Sequence, residues 1–422
     1  MKKFLSKILF ALLILIAPKA FSATILVPMD ETQTDHLKAY GVAYRVLEKG
    51  YVMEWLLNYR GGSFLFPHDL LIEEDLVLSR VTYKILPDVK VKQIKSEIAP
   101  AEVNMEVVQL ETAPKIAVYT PGGKQPWDDA VTMVLTYADI PYKEIYDSAV
   151  VNNLLPEYDW LHLHHEDFTG QYGKFYKNYH TESWYQKQVK DSEASAKFLG
   201  FAKVSAMKLS VALKIKEFVI GGGFLFTMCS GTDSYDIALA AQNTDICDVI
   251  YDYDPMEPNF QSKIDYDQGF AFYNYTVSKN ALEYEYSDID GTDDHKAIPE
   301  QQDKFFLFDF SAKWDIVPTM LCQNHTKEVQ GFMGQTTDFR LEFIKPNVLI
   351  MGDNKALGTA RYIHGEYGEG TWTYYGGHDP EDYRHYVHDL PTDLSLHPNS
   401  PGYRLILNNI LFPAAKKKKR KT

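Results

Sequence analysis

Gly221-Gly-Gly-Phe-Leu-Phe-Thr-Met-Cys-Ser-Gly231 is the stretch on which the fold turns. Phe224 to Met228 is continuously apolar, so the strand it predicts is covered on both faces and lies centrally in a parallel sheet. Ahead of it, Val204 to Phe218 carries Leu209, Leu213, Ile215 and Phe218 at helical spacing and stops at Gly221-Gly222-Gly223. Behind it, a helix is expected from Asp233 to about Ala241, with Thr232 or Asp233 as N-cap. A cysteine on a sharp turn between a buried strand and a helix has the geometry of a nucleophile elbow. The turn would expose the Cys229 thiol at the carboxyl edge of the sheet, and the helix dipole would lower its pKa.

The same alternation continues outward. Ile116 to Tyr119 reads as a buried strand, Thr120 to Gly123 as a loop, Trp127 to Ala138 as a helix, and Pro141 to Tyr146 and Tyr158 to His164 as further strands. Late in the chain come a strand at Val348 to Met351, a hairpin from Ala360 to Tyr375 and a closing helix from Tyr403 to Leu411. Strands alternating with helices predict an α/β fold whose sheet is largely parallel, with helices on both faces. Residues 114–244 form the first part of this core and 345–412 its closing part. The Tyr- and Asp-rich segment 245–344 between them, with short strands expected at Ala271 to Val277 and Phe305 to Phe310, reads as an inserted β-rich region. Before the core, 23–113 opens as a β-α-β segment: a strand at Thr24 to Pro28, a helix from His36 to Lys49 and a strand from Tyr51 to Asn58. The remainder, 70–113, reads as a covering or linking layer.

Lys2, Lys3 and Lys7 precede the apolar run Ile8 to Ala17, and Ala20-Phe21-Ser22 supplies small residues at the usual cleavage offsets, so 1–22 reads as a secretory signal peptide. The rest is expected in the periplasm or outside the cell, with no transmembrane segment after cleavage. The 422 residues carry 43 Lys+Arg against 57 Asp+Glu, a net −14, and an acidic body has no long-range pull on nucleic acid, which is excluded as a partner. The tail 413–422, with six consecutive basic residues from Lys416 to Lys421, is most simply a solvated end. Only three cysteines are present. Cys247 and Cys322 would pair if the fold brings them together; three buried thiols are the alternative.

A nucleophile needs a base. His378, in Gly376-Gly-His-Asp-Pro-Glu381, follows a late strand that a parallel sheet can return beside Cys229, and Glu381 or Asp379 would orient it. The backbone N–H of Ser230 and one from the loop Glu166 to Gly173, for which Gly170 is the candidate, would meet the oxyanion. His164, His165, Glu166 and Asp233 are candidate ligand-binding residues. The run His162-Leu-His-His-Glu-Asp167 has donors that suit zinc but no strong zinc spacing, so the metal, like any cofactor, stays unknown.

The elbow run, Leu213 to Gly231, together with the late Gly-Gly-His-Asp-Pro-Glu, resembles the class I glutamine amidotransferase-like superfamily, and Gly370-Thr-Trp-Thr-Tyr-Tyr-Gly-Gly-His-Asp379 is closest to its ThuA-like branch. The resemblance covers roughly 115–245 and 345–412 and implies a flavodoxin-like sheet with a Cys, His and carboxylate triad. Two departures stand out: Thr227 occupies the first Gly position of Gly-x-Cys-x-Gly, and Glu381 lies one residue beyond the family spacing. The whole chain also resembles secreted bacterial proteins labelled asparagine synthetase B. That label implies an N-terminal nucleophilic Cys and a Ser-Gly-Gly-x-Asp-Ser loop for ATP. After residue 22 there is no N-terminal Cys, and Ser230-Gly-Thr-Asp-Ser234 is one residue short and overlaps the elbow.

Two classes of function therefore stand. One is an exported Cys-dependent hydrolase, or a degenerate relative that binds a small-molecule or glycan ligand in the crevice beyond the strands' carboxyl ends. The other is a non-catalytic cell-envelope protein that holds a protein or glycan partner.

Overall fold

A computed structural model describes residues 23–123 and 125–415. The expected signal peptide and the basic run from 416 onward lie outside these residues. The protein is a mixed α/β structure with two sheets. Strands are numbered in chain order.

The first sheet has five strands in the order β4-β1-β3-β2-β5: β1 (Ala23–Val27), β2 (Met53–Leu57), β3 (Ser63–Pro67), β4 (Lys84–Pro87) and β5 (Glu106–Leu110). Both β1 and β2 run antiparallel to β3, which lies between them, so the β-α-β segment is split by an inserted strand. The helix it contains spans His36–Glu48, with Asp35 as N-cap: its carboxylate accepts the Lys38 N–H. Residues 70–113 both cover the first sheet and add strands to it. They supply β4, β5 and two helices, of which Asp88–Ile98 buries Ile94 and Ile98 against Leu26, Leu56 and Leu65. The periodicity there was hidden because only Ile94 and Ile98 of that helix are buried.

The second sheet runs β11-β10-β13-β14-β15-β9-β8-β6-β7, with β12 paired to β14. Its parallel half consists of β7 (Lys143–Ile145), β6 (Ile116–Tyr119), β8 (Trp160–Leu163), β9 (Phe224–Met228) and β15 (Gly370–Tyr375). The antiparallel half adds β14 (Thr359–Tyr367), β13 (Leu349–Asn354), β10 (Lys304–Leu307), β11 (Glu328–Gln330) and β12 (Phe339–Arg340). Alternate residues of the parallel strands face opposite cores. Val118, Trp160, Phe226 and Tyr375 pack with the helices His36–Glu48, Ala130–Tyr137 and Pro401–Leu411, while Tyr119, Leu161, Leu225 and Trp372 pack with Val204–Ile220 and Gly231–Ala240. Both faces are thus covered, which is why Phe224 to Met228 reads as an unbroken apolar run.

The segment 245–344 supplies β10 to β12 and a great deal of loop. Ala271 to Val277 forms no strand: it makes single bridges, Phe272 to Ile344 and Val277 to Ser287. Its backbone is held by a side chain instead, because the buried Asp236 carboxylate accepts the N–H groups of Phe270 and Ala271 at 2.8 Å each. The three cysteines are free and buried, and Cys247 donates to the Thr169 carbonyl. Among the described residues no helix is long and apolar enough to cross a membrane.

Candidate functional site

Four parallel strands end on one edge, and each delivers polar side chains to it. The loop after β6 carries Trp127, Asp128 and Asp129. His164, His165 and Glu166 follow β8, Cys229 and Ser230 follow β9, and His378 follows β15 after two glycines.

Cys229 has φ of +50°, a left-handed backbone that a non-glycine residue holds only where its surroundings enforce it. The helix after it begins at Gly231, two residues earlier than the spacing suggests, with Ser230 rather than Thr232 or Asp233 at the N-cap position. Gly231 permits this: its N–H donates to the His164 carbonyl at 2.6 Å, and a Cβ there would stand 2.4 Å from that oxygen. The elbow is thereby tied to the end of β8.

The thiol is not exposed at the sheet edge. Cys229 is 2% exposed, because Gly334-Gln335-Thr336 closes over it. The Gln335 N–H donates to Sγ at 3.3 Å, and the Thr336 N–H also bonds the sulfur. Gly377 donates to the Thr336 carbonyl at 2.8 Å and His378 to that of Met333 at 3.0 Å, which fixes the covering loop. Only glycine fits at 334, where a Cβ would meet the His378 nitrogen at 2.9 Å and Sγ at 3.0 Å.

His378 is the hub. Its Nε2 lies 3.2 Å from Asp128 Oδ1, its Nδ1 lies 3.0 Å from His164 Nε2, and its charge couples to that of Cys229. Burial opposes its charged form, but the hydrogen bonds and charges of Asp128 and Cys229 outweigh burial and push its pKa up to about 10. Burial likewise pushes the Cys229 thiol up, and the His378 hydrogen bond and charge, with the two loop N–H groups, bring it below its ordinary value. The pair therefore favours a thiolate beside an imidazolium. His378 and the two loop N–H groups carry the shift against burial.

The carboxylate on His378 is Asp128, not Glu381 or Asp379. Asp379 is fully occupied elsewhere: Tyr403 OH donates to it at 2.7 Å, Thr392 Oγ1 at 2.6 Å and the Glu381 N–H at 2.9 Å. Glu381 pairs with His397 at 2.9 Å. Pro380 turns the chain between them, so both acids anchor the closing helix region instead of the site. Gly170 packs on the Ser205 backbone and lines a cavity of about 30 Å³ with His165 and Glu166, while the N–H groups that reach the sulfur belong to Gln335 and Thr336. Ser230 sits beside the thiol at the head of the helix, buried.

The His-rich run joins the hub. His162 donates from Nδ1 to the Phe226 carbonyl at 3.1 Å, its Nε2 faces His164 Nδ1 at 3.3 Å, and Asp129 lies 3.4 Å from His162 and 3.7 Å from His164. Burial pushes the His164 pKa well down, and burial with the His378 charge pushes His165 down to about 3. Trp127 donates its indole N–H to His165 Nε2. Glu166, buried and near Asp129, is pushed up to about 8. Asp233 stands apart, below the covering loop: Thr336 Oγ1 donates to it at 2.8 Å, and burial pushes it up to about 7. Of the residues singled out in the sequence, Cys229, His378, His164 and His165 converge, with Ser230 beside them.

Asp128, Asp129, His385 and the loop Gly334 to Thr336 carry no sequence signal of their own. The helix expected from Trp127 begins at Ala130 with Asp129 as its N-cap, accepting the Thr132 N–H at 2.9 Å, which masks its second role. His385 stands seven residues after His378 in a loop without periodicity.

No family model matches the chain, and no curated protein matches it. Among solved structures it is similar to two proteins titled as cytoplasmic, STM3548 from Salmonella typhimurium (9% identity, TM-score 0.36) and STM1381 from Salmonella typhimurium LT2 (12% identity, TM-score 0.36). Each comparison covers 72% of this chain and 100% of the other. A third similarity, to the GH42 beta-galactosidase Gan42B, has 12% identity and a TM-score of 0.27 and covers 63% of this chain and 28% of that one.

Proposed function

We propose that this protein is an exported, Cys-dependent hydrolase of the class I glutamine amidotransferase-like kind, built on a flavodoxin-like core. What carries the reading is the placement of Cys229, on its left-handed turn, against the same Gly334 that packs on the His378 backbone, with Asp128 3.2 Å from the His378 ring. In this reaction the thiolate attacks the carbonyl carbon of an amide or ester and forms a C–S bond. The Ser230 N–H receives the oxyanion. His378 gives its proton to the leaving group as the C–N or C–O bond breaks, and water then hydrolyses the thioester and restores the thiolate. Export rests on residues 1–22 alone. Synthesis of asparagine is not part of the proposal, since Ser230 to Ser234 forms the elbow and the helix start and leaves no separate loop for ATP phosphates.

A second reading, a non-catalytic envelope protein that holds a protein or glycan, is favoured by the burial of the sulfur beneath Gly334 to Thr336. Iodoacetamide separates the two. All three cysteines are buried, so the order of labelling follows thiolate content: burial pushes Cys322 up to about 12 and Cys247 well up, whereas Cys229 is lowered. In the native protein at neutral pH, peptide mapping is expected to find Cys229 alkylated first. Cys247 or Cys322 reacting before it would leave the binding reading. The same preparation, given aspartate, ATP, magnesium and glutamine, is expected to release no pyrophosphate.

A further inference from the structure

His385 takes no part in the thiol chemistry, yet it is buried against the same aspartate as His378. The Phe226 carbonyl only accepts, so His162 Nδ1 carries a proton. His162 Nε2 and His164 Nδ1, 3.3 Å apart, both face Asp129, and when His378 is neutral its Nδ1 can donate to His164 Nε2 at 3.0 Å. This leaves the lone pair of His378 Nε2 facing Asp128 Oδ1 at 3.2 Å. The second chain ends in the same place. Asp382 Oδ2 holds the His385 Nδ1 proton at 3.0 Å, so the Nε2 lone pair of His385 lies 3.6 Å from Asp128 Oδ1.

Three electron-rich atoms thus meet at one point, on side chains that are only 8%, 7% and 6% exposed for Asp128, His378 and His385. Neither Asp128 Oδ2 nor His385 Nε2 has a hydrogen-bond partner. With His378 neutral, buried lone pairs facing each other repel unless a cation stands between them, and either a proton on His378, which gives its imidazolium form, or a metal ion fills that place. The three ligand atoms lie within 4.8 Å of one another, and zinc with bonds of about 2.0–2.1 Å holds neighbouring ligands roughly 3.3 Å apart, close to the 3.2 and 3.6 Å seen here. The outer contacts also fit: Asp382 on His385 and His164 on His378 fix the ring orientations as outer-shell partners of metal ligands do.

We infer that Asp128, His378 and His385 form a binding site for one divalent transition ion of the zinc type. The site does not require the hydrolase reading. The two meet at His378, whose lone pair takes either a proton, which gives the imidazolium beside Cys229, or the metal.

The test titrates zinc into the purified, chelator-treated protein in competition with a chromophoric chelator, with cobalt absorption as a second readout. One ion per chain is expected. His385→Ala and Asp128→Asn should each weaken binding more than about 100-fold, beyond the 10–100-fold effect of losing an outer partner, for which Asp382→Asn serves as the comparison. Circular dichroism identifies unfolded variants, and His385→Gln replaces any that fail. No stoichiometric zinc, or affinity unchanged in both ligand variants, would overturn the assignment. Selective alkylation of Cys229 is read separately, so the failure of one claim leaves the other standing.

Discussion

Replacing Lys208 with methionine is expected to destabilise the protein by about 3–5 kcal/mol. The Lys208 ammonium is buried among Asp147 Oδ1 at 2.9 Å, Tyr119 OH at 2.9 Å and Tyr146 OH at 3.0 Å. Burial opposes its charge, yet Asp147 and Tyr146 outweigh burial and raise its pKa. Without it the Asp147 carboxylate, 0% exposed and already with one oxygen unpartnered, stays in the core with only Tyr119 as donor. The pair fixes the helix Val204–Ile220 to the carboxyl edge of β6, and Lys208 also lines the cavity that His165 and Glu166 share. Urea unfolding should show a lower midpoint, and adding Asp147→Leu should recover most of the loss, since removal of both charges leaves neither charge buried and unpaired. A fall of less than about 1 kcal/mol, the range of an exposed ion pair, would contradict this account of the site's floor.

His378→Gln is expected to lower turnover of an activated ester by about 10²–10⁴-fold with little change in KM. Glutamine keeps a polar group at the hub but supplies neither the positive charge that holds the Cys229 thiol low nor a proton for the leaving group. A fall of less than tenfold, with the variant folded, would take His378 out of the proton path. An equal rise in KM and no change in kcat would make it a binding residue.

The central strand, the turn after it and the closing hairpin were legible because their signals are local. Phe224 to Met228, Ile116 to Tyr119 and the Gly368 to Gly370 turn depend on burial or on backbone conformations that composition reveals. His378 was legible for the same reason, as a polar residue after two glycines at a strand end. What the sequence hid is long-range. Asp128 reaches His378 across 250 residues, and its neighbour Asp129 serves as an ordinary cap. The nearer acids, Asp379 and Glu381, attracted the assignment by adjacency, although their partners, Tyr403, Thr392 and His397, lie further along the closing segment. The covering loop Gly334 to Thr336 comes from the segment with the weakest periodicity. It is positioned by buried charges: Arg361 donates to the Phe332 carbonyl, and His295 bridges Asp303 and Asp338.

Intact-mass measurement of the protein mixed with p-nitrophenyl acetate tests the central claim most directly. The account predicts a burst of nitrophenol, one acetyl group per chain that maps to Cys229, and loss of both in Cys229→Ser. No burst, or an equal burst in Cys229→Ser with the acetyl group on another residue, would contradict it.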